Sequence, residues 1–500
     1  MPSQSENLFL GIDAGSSVLK AAVFDCHGEM LAVASRRTPL NRPQPGWVEV
    51  DPEQSLDALD AVIAEVAAAT GQPENIKGIG LSGAMVGAWF VDGAGGALRP
   101  GINWEDSRSQ SLLDAMTAER PSLMSDIFAV SGSVPQQGCT LPILAWFQQN
   151  DPEILQRTAH VLTYKDFLRH HLSGSFCGDH SEAAVMPGDA RIQGHSPDLM
   201  RLFGIADLES LFPPTLASDE IAGHLLPGAA ARSGIRAGTP IVAGAGDVIA
   251  NVIGAGGLRN GAATAILGTT CMVGICHSTP QFVPPDLGLL FSLPGNYWYR
   301  AMVNVAGTLN LDWALELLAP ELKDDPRRFA RIDAMVDGVP PGAHGVTFLP
   351  YLSESGIIAP VVDAGARAQF TGLHRGHDKA DLLRAVYEGV AFAIGDLLEL
   401  LQIRQNTEIV LTGGGSRSAI WVQIIANVTG RTIIVPENAE FGARGAALLA
   451  ATALGHFPSI TSASQAMAVG NLCTKPKPEE EDLWERPRIR YRQFRDHLLR

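Results

Sequence analysis

The sequence predicts an α/β fold made of two similar halves, and two features of the chain support this. First, apolar stretches of strand length alternate with helical patterns along all 500 residues, which is long for a single domain. Second, an apolar strand, a glycine with two hydroxyl residues and another apolar strand occur together twice, around Gly15-Ser16-Ser17 and around Gly268-Thr269-Thr270. Two such hairpins predict a duplicated fold whose halves face each other across a phosphate group.

The first half opens with a predicted β-meander, which a helix follows. Asp51, Pro52 and Gln54 have the chemistry of a helix start, and apolar residues then recur at helical spacing as far as Gly71. This order of meander, helix and strand is typical of α/β packing. The strands predicted in this part cover residues 8–13, 18–24, 30–34, 76–81 and 86–91.

The second half contains the clearest helix of the chain and a glycine turn. Apolar residues follow the helical period over 379–401. A strand over 408–411 runs directly into the Gly413–Gly415 turn, and a helix begins at Ala419. A strand, glycine turn and helix in this order can bind an anion, or pack on a flat ring, at the amides of the helix start. Residues 110–235, by contrast, show mostly helical patterns and little chemistry.

Composition and charge argue against several functions. Hydrophobic residues make up 46% of the chain and charged residues 18%, as in an ordinary globular protein. The net charge of -16 argues against nucleic acid or an anionic membrane as a partner, although backbone amides can still bind phosphate locally. The six cysteines form no Cys-x-x-Cys pair, and the first residues lack the basic start of a signal peptide. We therefore expect a cytoplasmic protein with reduced thiols and no membrane span.

Asp247 is the residue that the local sequence itself suggests for catalysis. It follows an apolar run and a glycine, and a hydroxyl turn comes after the next apolar run. An isolated aspartate in a glycine-rich run is usually a turn or cap residue. A carboxylate on a bent backbone near a hydroxyl turn also suits a site where a base approaches a phosphate. The segment from Trp104 to Arg108 combines a ring with polar groups, which fits either a sugar site or a solvated loop.

Ordered motifs run along nearly the whole chain, from Leu8 to about Ala451. The most specific is Ala368-Gln-Phe-Thr-Gly372-Leu373 followed by Asp381 to Glu388. The others are Gly11-Ile-Asp-Ala-Gly-Ser-Ser17, Gly46-Trp-Val-Glu-Val-Asp-Pro52, Trp104-Glu-Asp-Ser-Arg108, Gly244-Ala-Gly-Asp247, Leu267-Gly-Thr269, Leu349-Pro-Tyr351, Thr412-Gly-Gly-Gly415 and Gly442-Ala-Arg-Gly-Ala-Ala447. Together they resemble the FGGY family of carbohydrate kinases.

The resemblance implies a fold and a reaction. The fold would be α/β, with two actin-like (ribonuclease H-like) domains, each a mixed central sheet flanked by helices, and an active-site cleft between them. The reaction would be phosphorylation of a small sugar hydroxyl by ATP with Mg²⁺. Residues 1–255 would bind the sugar and residues 256–455 would bind ATP. Residues 456–500 would form a helical extension that packs back on the domains, and a homodimer is a family-level expectation.

The resemblance also implies roles for individual residues. Asp247 would be the general base, and Asp13 and Asp247 would hold Mg²⁺. The residues implied in substrate binding are Met85, Val86, Trp104, Asp106 and Asp247. The residues implied in nucleotide binding are Gly15, Ser16, Ser17, Gly268, Thr269, Thr270, Gly307, Gly413, Gly414, Gly415 and Ser418.

The sequence departs from the family at positions that would contact the sugar. Xylulose kinases of the family usually carry Gln-Met-His-Gly after the strand, whereas this chain has Ala84, Met85, Val86 and a glycine. The residue after the base is commonly Asn or Gln and is Val248 here, and residues 355–360 replace a Gly-Glu-Arg-x-Pro loop. Each change removes a hydrogen-bonding group, which affects selectivity. A pentulose such as xylulose is the predicted substrate, with L-xylulose, erythritol, ribulose, glycerol and gluconate as alternatives.

Two other classes of protein fit parts of the sequence. A non-catalytic sugar- or nucleotide-binding regulator with this fold would explain the lost polar residues, but Asp13, Asp247 and both hydroxyl turns are retained. A Rossmann oxidoreductase would explain the glycine-rich runs near Gly244 and Gly254, but neither run has the Gly-x-Gly-x-x-Gly spacing with a distant acidic residue. The sequence therefore favours a carbohydrate kinase over both of these classes.

Overall fold

The first half of the chain folds around one mixed sheet. The computed structural model describes residues 7–135, 138–353, 356–363, 365–437, 440–467 and 471–499. The strands as far as Gly246 are β1 (Leu8–Ala14), β2 (Val18–Phe24), β3 (Met30–Arg37), β4 (Leu40–Asn41), β5 (Glu49–Val50), β6 (Ile76–Gly83), β7 (Trp89–Val91), β8 (Gly101–Ile102), β9 (His160–Leu162), β10 (Gly178–Asp179), β11 (Thr215–Leu216), β12 (Ile221–His224), β13 (Pro240–Val242) and β14 (Ala245–Gly246). The helices of this part are α1 (Pro52–Ala69), α2 (Gln110–Glu119), α3 (Leu123–Ser131), α4 (Thr140–Asn150), α5 (Pro152–Arg157), α6 (Tyr164–Ser173), α7 (His180–Val185), α8 (Pro197–Leu202), α9 (Pro227–Ser233) and α10 (Asp247–Gly254).

The second half folds around another mixed sheet. Its strands are β15 (Ala263–Leu267), β16 (Cys271–His277), β17 (Leu289–Leu293), β18 (Tyr297–Asn304), β19 (Thr347–Leu349), β20 (Gln369–Thr371), β21 (Ile409–Thr412), β22 (Ile433–Val435) and β23 (Leu472–Thr474). Its helices are α11 (Leu309–Leu318), α12 (Arg328–Val336), α13 (Lys379–Leu400), α14 (Ala419–Thr429), α15 (Phe441–Ala453), α16 (Ile460–Ala466) and α17 (Glu481–Leu498).

The two sheets repeat one topology, which confirms the predicted duplication. The first has the order β12-β13-β6-β1-β2-β3, and the second has the order β17-β18-β16-β15-β21-β22-β23. In the first, β1 pairs antiparallel with β2 and parallel with β6, and β6 pairs parallel with β13. In the second, β15 pairs antiparallel with β16 and parallel with β21, and β21 pairs parallel with β22. The turns of the β1–β2 and β15–β16 hairpins therefore occupy equivalent positions.

Several predicted boundaries agree with the structure. Helix α13 begins at Lys379 and ends at Leu400, and α1 begins at Pro52 with the Asp51 side chain accepting the Gln54 amide. The strand predicted over 86–91 is wrong at its start and covers only Trp89 to Val91. Val86 and Gly87 have φ angles of 56° and 73°, and a strand cannot continue through the left-handed region.

The segment 110–235 also differs from its prediction. It contains the short strands β9 to β12 in addition to helices, and β9 separates α5 from α6. It also holds a buried group of ion pairs around Lys165, described below. The loop predicted from Glu354 to Gly372 begins outside the described residues, because 354, 355 and 364 are not among them.

Helices α10 and α15 cross at close range and join the two halves. A Cβ atom on Gly445 would lie 1.9 Å from the carbonyl oxygen of Ala250, and one on Gly254 would lie 2.0 Å from that of Phe441. On its other side, α15 lies against the first sheet, where a Cβ on Gly11 would lie 1.8 Å from the Ala443 carbonyl oxygen. Only glycine permits backbones to approach this closely. The position of α10 therefore depends on α15.

The last residues complete the second half. Strand β23 pairs with β22, and α17 inserts Trp484 and Tyr491 into the core, each 1% exposed. The Tyr491 ring stacks on Phe392 of α13 with ring centroids 5.0 Å apart. No helix within the described ranges combines the length and apolarity that crossing a membrane requires.

Candidate active site

Three parallel strands of the first sheet end side by side and deliver the candidate residues. β1 pairs with β6 so that Asp13 lies opposite Ser82, and β14 pairs with β6 so that Gly246 lies opposite Gly83. Asp247 is the next residue and begins α10. Ligands of α/β sheets bind beyond the carboxyl ends of parallel strands, which is where these residues lie. Strand pairing therefore brings together two carboxylates that are far apart in the sequence.

Asp13 is held by its neighbours on both sides. The Ser82 hydroxyl donates a hydrogen bond to Asp13 Oδ1 at 2.8 Å. A Cβ on Gly442, at the start of α15, would lie 2.4 Å from Asp13 Oδ2, so the carboxylate needs a glycine there. Desolvation raises the pKa of Asp13, while the Ser82 hydrogen bond and the charge of Lys20 lower it. Asp13 is thus a fixed carboxylate in a partly dry environment.

Asp247 has the pKa of a base that works near neutrality. Its side chain is half-buried, and its Oδ1 accepts a hydrogen bond from the Val248 amide at 2.8 Å. Desolvation, followed by the negative charge of Asp13, raises the pKa of Asp247 to about 7, although that hydrogen bond lowers it. A general base is most effective when its pKa lies near the working pH. The environment of Asp247 therefore fits the role that was predicted for it.

Residues Ala84 to Val86, which we call the sugar segment because the resemblance places them at the sugar, pack directly on β14, the strand before Asp247. A Cβ on Gly246 would lie 2.4 Å from the sulfur of Met85, so the two segments touch. Met85 is 8% exposed and Ala84 is 4% exposed, so both side chains offer little surface to a ligand. Val86 is half-buried, and its amide donates to Glu182 Oε2 at 2.9 Å. Of these residues, Val86 leaves the most surface for a ligand.

Trp104 links the predicted sugar site to the first phosphate hairpin. Its indole Nε1 donates to the Ser16 hydroxyl at 2.7 Å, and 39% of the residue is exposed. A ring with this exposure can stack on a sugar, while its N–H fixes a hydroxyl at the β1–β2 turn. The structure therefore joins two residues that were predicted for different ligands.

Replacement of Trp104 by phenylalanine tests this link, because the variant keeps an aromatic ring and loses the N–H donor. We expect kcat/KM for ATP to fall about 2- to 12-fold, as for the loss of one hydrogen bond. Steady-state kinetics of Trp104→Phe, Ser16→Ala and the double variant provide the measurement. The double variant should be no worse than the poorer single variant, whereas additive losses would show that the hydrogen bond does not matter.

Asp106 is placed differently from its prediction. It is 0% exposed, and its Oδ1 accepts from both the backbone amide and Nε of Arg108. Its Oδ2 accepts from the Val48 amide at 2.6 Å and from Arg108 Nη2 at 2.8 Å. With both oxygens occupied inside the protein, Asp106 supports the loop that carries Trp104 and does not face a sugar.

Gly307 packs against the Gly268–Thr270 turn of the β15–β16 hairpin, which is the second hairpin predicted to bind phosphate. The Gly307 amide donates to the Thr269 carbonyl and the Thr308 amide donates to the Gly268 carbonyl, both at 2.7 Å. A Cβ on Gly307 would lie 2.5 Å from the Thr270 carbonyl oxygen. Gly307 therefore fits closely against the turn of the β15–β16 hairpin.

The glycine turn after β21 lies beside the same hairpin. Gly413 has a φ of 90°, and a Cβ on it would lie 2.5 Å from the Leu267 carbonyl oxygen. A Cβ on Gly415 would meet the Leu267 side chain at 2.4 Å, whereas Gly414 has open space around it. Ser418 differs from its prediction: it is 0% exposed, caps α14 by accepting from Trp421, and donates to Asp333. Gly414 is thus the member of this group with room for a ligand.

A hydrogen bond connects α10 to the end of β21. The Thr412 hydroxyl, at the end of β21, donates to the Asn251 side-chain oxygen of α10 at 3.1 Å. Asn251 lies one helical turn after Asp247, and Thr412 immediately precedes the Gly413–Gly415 turn. Both halves therefore meet at α10.

Sequence reasoning missed four supporting residues: Ser82, Ser181, Glu182 and Asn251. Ser181 accepts from the Gly246 amide at 3.0 Å, and the contacts of the others are given above. Ser82 could have been found, since it directly follows the strand predicted over 76–81 and comes shortly before Ala84. Ser181 and Glu182 lie in a segment without any motif, and only the tertiary structure reveals their contacts.

The residues present fit a magnesium ion in the way such ions bind near phosphates. Within the described ranges, no group of three or more His, Cys, Asp or Glu residues could hold a metal on its own. Mg²⁺ commonly uses one or two carboxylates together with substrate phosphates and water. Asp13 and Asp247 supply two carboxylates close enough for the charge of Asp13 to raise the pKa of Asp247.

The fold and the site together are those of a two-domain phosphotransferase. Comparison with protein families identifies which one: the N-terminal domain of the FGGY family of carbohydrate kinases matches residues 8–254, and the C-terminal domain matches residues 263–454. The chain belongs to the FGGY family of carbohydrate kinases. Its reaction is therefore the phosphorylation of a sugar by ATP.

Individual relatives are similar over nearly the whole chain. A xylulose kinase from Bacillus subtilis is 29% identical over 91% of this chain and 90% of its own length. A probable L-xylulose kinase from Pasteurella multocida is 29% identical over 98% of both chains. A crystal structure described as a xyloylose kinase from Brucella ovis has a TM-score of 0.86 and 31% identity, and the match covers 98% of this chain and 99% of that one.

Proposed function

We propose that this enzyme transfers the γ-phosphoryl group of ATP to a hydroxyl of a pentulose such as xylulose. The observation that carries the proposal is Asp247, a half-buried carboxylate with a pKa raised to about 7, beside Asp13 at the ends of β14 and β1. The relatives named as xylulose and L-xylulose kinases support a five-carbon ketose. The probable L-xylulose kinase aligns over more of the chain, which favours L-xylulose as the second candidate.

The chemistry follows from the geometry of Asp247. A sugar hydroxyl is a poor nucleophile at neutral pH, and Asp247 would accept its proton as the new P–O bond forms. The amides and hydroxyls of Gly15, Ser16, Ser17 and of Gly268 to Thr270 would bind the phosphates of ATP, and Gly413 to Gly415 with Gly307 would flank the nucleoside. Mg²⁺ at Asp13 would supply positive charge against the phosphates.

We further propose the division of the chain into a sugar-binding part (1–255), an ATP-binding part (256–455) and an extension (456–500). The contact between α15 and the first sheet supports a shared boundary region, since α15 lies between β22 and β23 of the second sheet in sequence. ATP as co-substrate supports a cytoplasmic location. The homodimer stays a prediction from the family.

The pH profile tests the role of Asp247. Because the base must be deprotonated and its pKa is raised to about 7, kcat/KM for the sugar should fall by about tenfold per pH unit below that value and level off above it. Initial rates in overlapping buffers, with circular dichroism as a control for folding, provide the measurement. A profile that stays flat from the neutral range down to pH values near 5 would contradict the assignment.

A substrate panel tests the proposed function directly. ADP release is measured with Mg·ATP and purified ketopentoses, sugar alcohols, glycerol and gluconate. Xylulose or L-xylulose should give the highest kcat/KM. Preference for another member would correct the substrate, whereas thermal stabilisation by a sugar and ATP without turnover would favour the non-catalytic regulator.

A further inference from the structure

The short helix α7 carries two adjacent side chains that hold the two main-chain segments of the active site. Ser181 Oγ accepts the amide of Gly246, the residue before Asp247, at 3.0 Å. Glu182 Oε2 accepts the amide of Val86, in the predicted sugar segment, at 2.9 Å. Both side chains lie within the protein, and Glu182 is 0% exposed. Helix α7 thus holds both the residue that precedes Asp247 and the segment Ala84–Val86.

Val86 adopts a backbone conformation that it would not adopt without support. Its φ is 56°, in the left-handed region, where a β-branched residue is a genuine outlier. Such outliers persist where the surroundings hold them, and they cluster at functional sites. The next residue, Gly87, is held by Gly138 and Thr140, through its amide and its carbonyl respectively. The amide of Val86 itself is held by Glu182.

The charged groups beside Glu182 are paired with one another. Lys165 pairs with Asp166 at 2.5 Å and with Asp179 at 2.6 Å, and Arg169 pairs with Asp166 at 2.6 Å. The two cations are therefore matched by two aspartates, and no ion pair joins Glu182 to a cation in the described part of the chain. Burial raises the pKa of Glu182 well above its usual range, although Lys165 lowers it. Its Oε1 is buried and has no hydrogen-bond partner among the residues that the structure describes.

We propose that Glu182 is a positioning residue for the sugar. It holds Val86 in the left-handed conformation and so sets the shape of the Ala84–Val86 segment at the sugar site. This inference rests on the proposed function, because it assumes that the Ala84–Val86 segment faces the sugar. The hydrogen bond from Val86 to Glu182 explains how the Ala84–Val86 segment, which lacks the polar pair usual in the family, can keep a defined conformation. Affinity for the sugar, and not for ATP, should then depend on the Glu182 side chain.

The test compares Glu182→Ala with Glu182→Gln in steady-state kinetics on a sugar that the wild-type enzyme turns over. Glu182→Ala should raise KM for the sugar by about 10-fold or more, with KM for ATP changed by less than about 3-fold. Glu182→Gln keeps an oxygen acceptor of the same length, so its sugar KM should stay within about 3-fold of wild type. An unchanged sugar KM in Glu182→Ala, or equal losses in both variants, would overturn the proposal.

A second comparison separates positioning from general support of the fold. In a Val86→Gly background the left-handed conformation costs little, so adding Glu182→Ala should raise the sugar KM by less than about 3-fold. The same 10-fold increase in both backgrounds would overturn the proposal. Glu388→Ala is the matched control: Glu388 is also buried and accepts an amide, that of Gly342 at 3.0 Å, but it lies in α13. It should lower the melting temperature without a change in sugar KM.

The proposed function and this inference can fail separately. If no pentulose is a substrate, the substrate panel shows it with the wild-type enzyme alone. The Glu182 variants are then tested on the panel member that is turned over, or by the thermal shift that a bound sugar produces. Loss of the sugar-induced rise in melting temperature in Glu182→Ala but not in Glu182→Gln supports the inference. An equal rise in both variants overturns it.

Discussion

Replacement of Asp247 by asparagine should lower kcat by roughly 10²- to 10⁴-fold, the range typical of a lost general base. Asparagine has the same shape and can still accept the Val248 amide that now donates to Asp247 Oδ1 at 2.8 Å. It cannot accept the proton of a sugar hydroxyl. We therefore expect sugar binding, measured by calorimetry, to change little while turnover nearly disappears.

Asp51→Asn serves as the control for this substitution. Asp51 also lies at the start of a helix, where its side chain accepts the Gln54 amide, and asparagine caps a helix equally well. Its kcat should equal that of the wild-type enzyme. Turnover of Asp247→Asn close to that of Asp51→Asn would refute the assignment of the base.

Replacement of Gly445 by alanine should destabilise the protein and displace the base at the same time. The new Cβ would lie 1.9 Å from the Ala250 carbonyl oxygen, so α15 and α10 must move apart. Overpacking of this kind costs about 1–3 kcal/mol. Because α10 begins at Asp247 and contacts Thr412 through Asn251, we expect kcat to fall as well.

Gly395→Ala is the matched control within a helix. Gly395 lies inside α13, and a Cβ there would meet nothing within 4 Å. Alanine favours a helix over glycine by about 0.5–1 kcal/mol, so this variant should be at least as stable as the wild type. Urea unfolding midpoints and kcat of both variants provide the measurement. Equal midpoints for the two variants would show that α10 and α15 are not tightly packed.

Much of the fold could be predicted because its signals are local. The apolar pattern of α13 and the cap residues of α1 lie within one element each, and both predictions agree with the structure. The two glycine–hydroxyl hairpins predicted the duplication because each is a short continuous stretch. The strand predicted from Val86 failed because Val86 and Gly87 have left-handed backbones. The Val86 amide donates to Glu182 of a distant helix, a contact that no local pattern records.

The site could be predicted only in part, for a related reason. Motifs identify residue types, but they do not say whether a side chain faces a ligand or its own neighbours. Asp106 and Ser418 have suitable chemistry, yet their oxygens are occupied by Arg108 and Val48 in one case and by Trp421 and Asp333 in the other. Whether a side-chain oxygen is already hydrogen-bonded inside the protein depends on tertiary contacts, which a motif does not record.

The stretch most specific to the family has a structural role. Asp381 completes a capping box with Asp378 at the start of α13 and pairs with His344 at 2.8 Å. Glu388 pairs with Arg384 and accepts the Gly342 amide. These contacts fix the turn before β19 on α13. This part of the family signature therefore reports on the fold.

The central claim is that Asp247 activates the hydroxyl of a pentulose for attack on ATP. Its most direct test is mass spectrometry of the products after wild-type enzyme and Asp247→Asn, at equal concentration, are incubated with Mg·ATP and xylulose or L-xylulose. We predict a phosphorylated pentulose with the wild type and almost none with the variant. No phosphorylated pentulose with the wild type, or equal amounts with both proteins, would contradict the account.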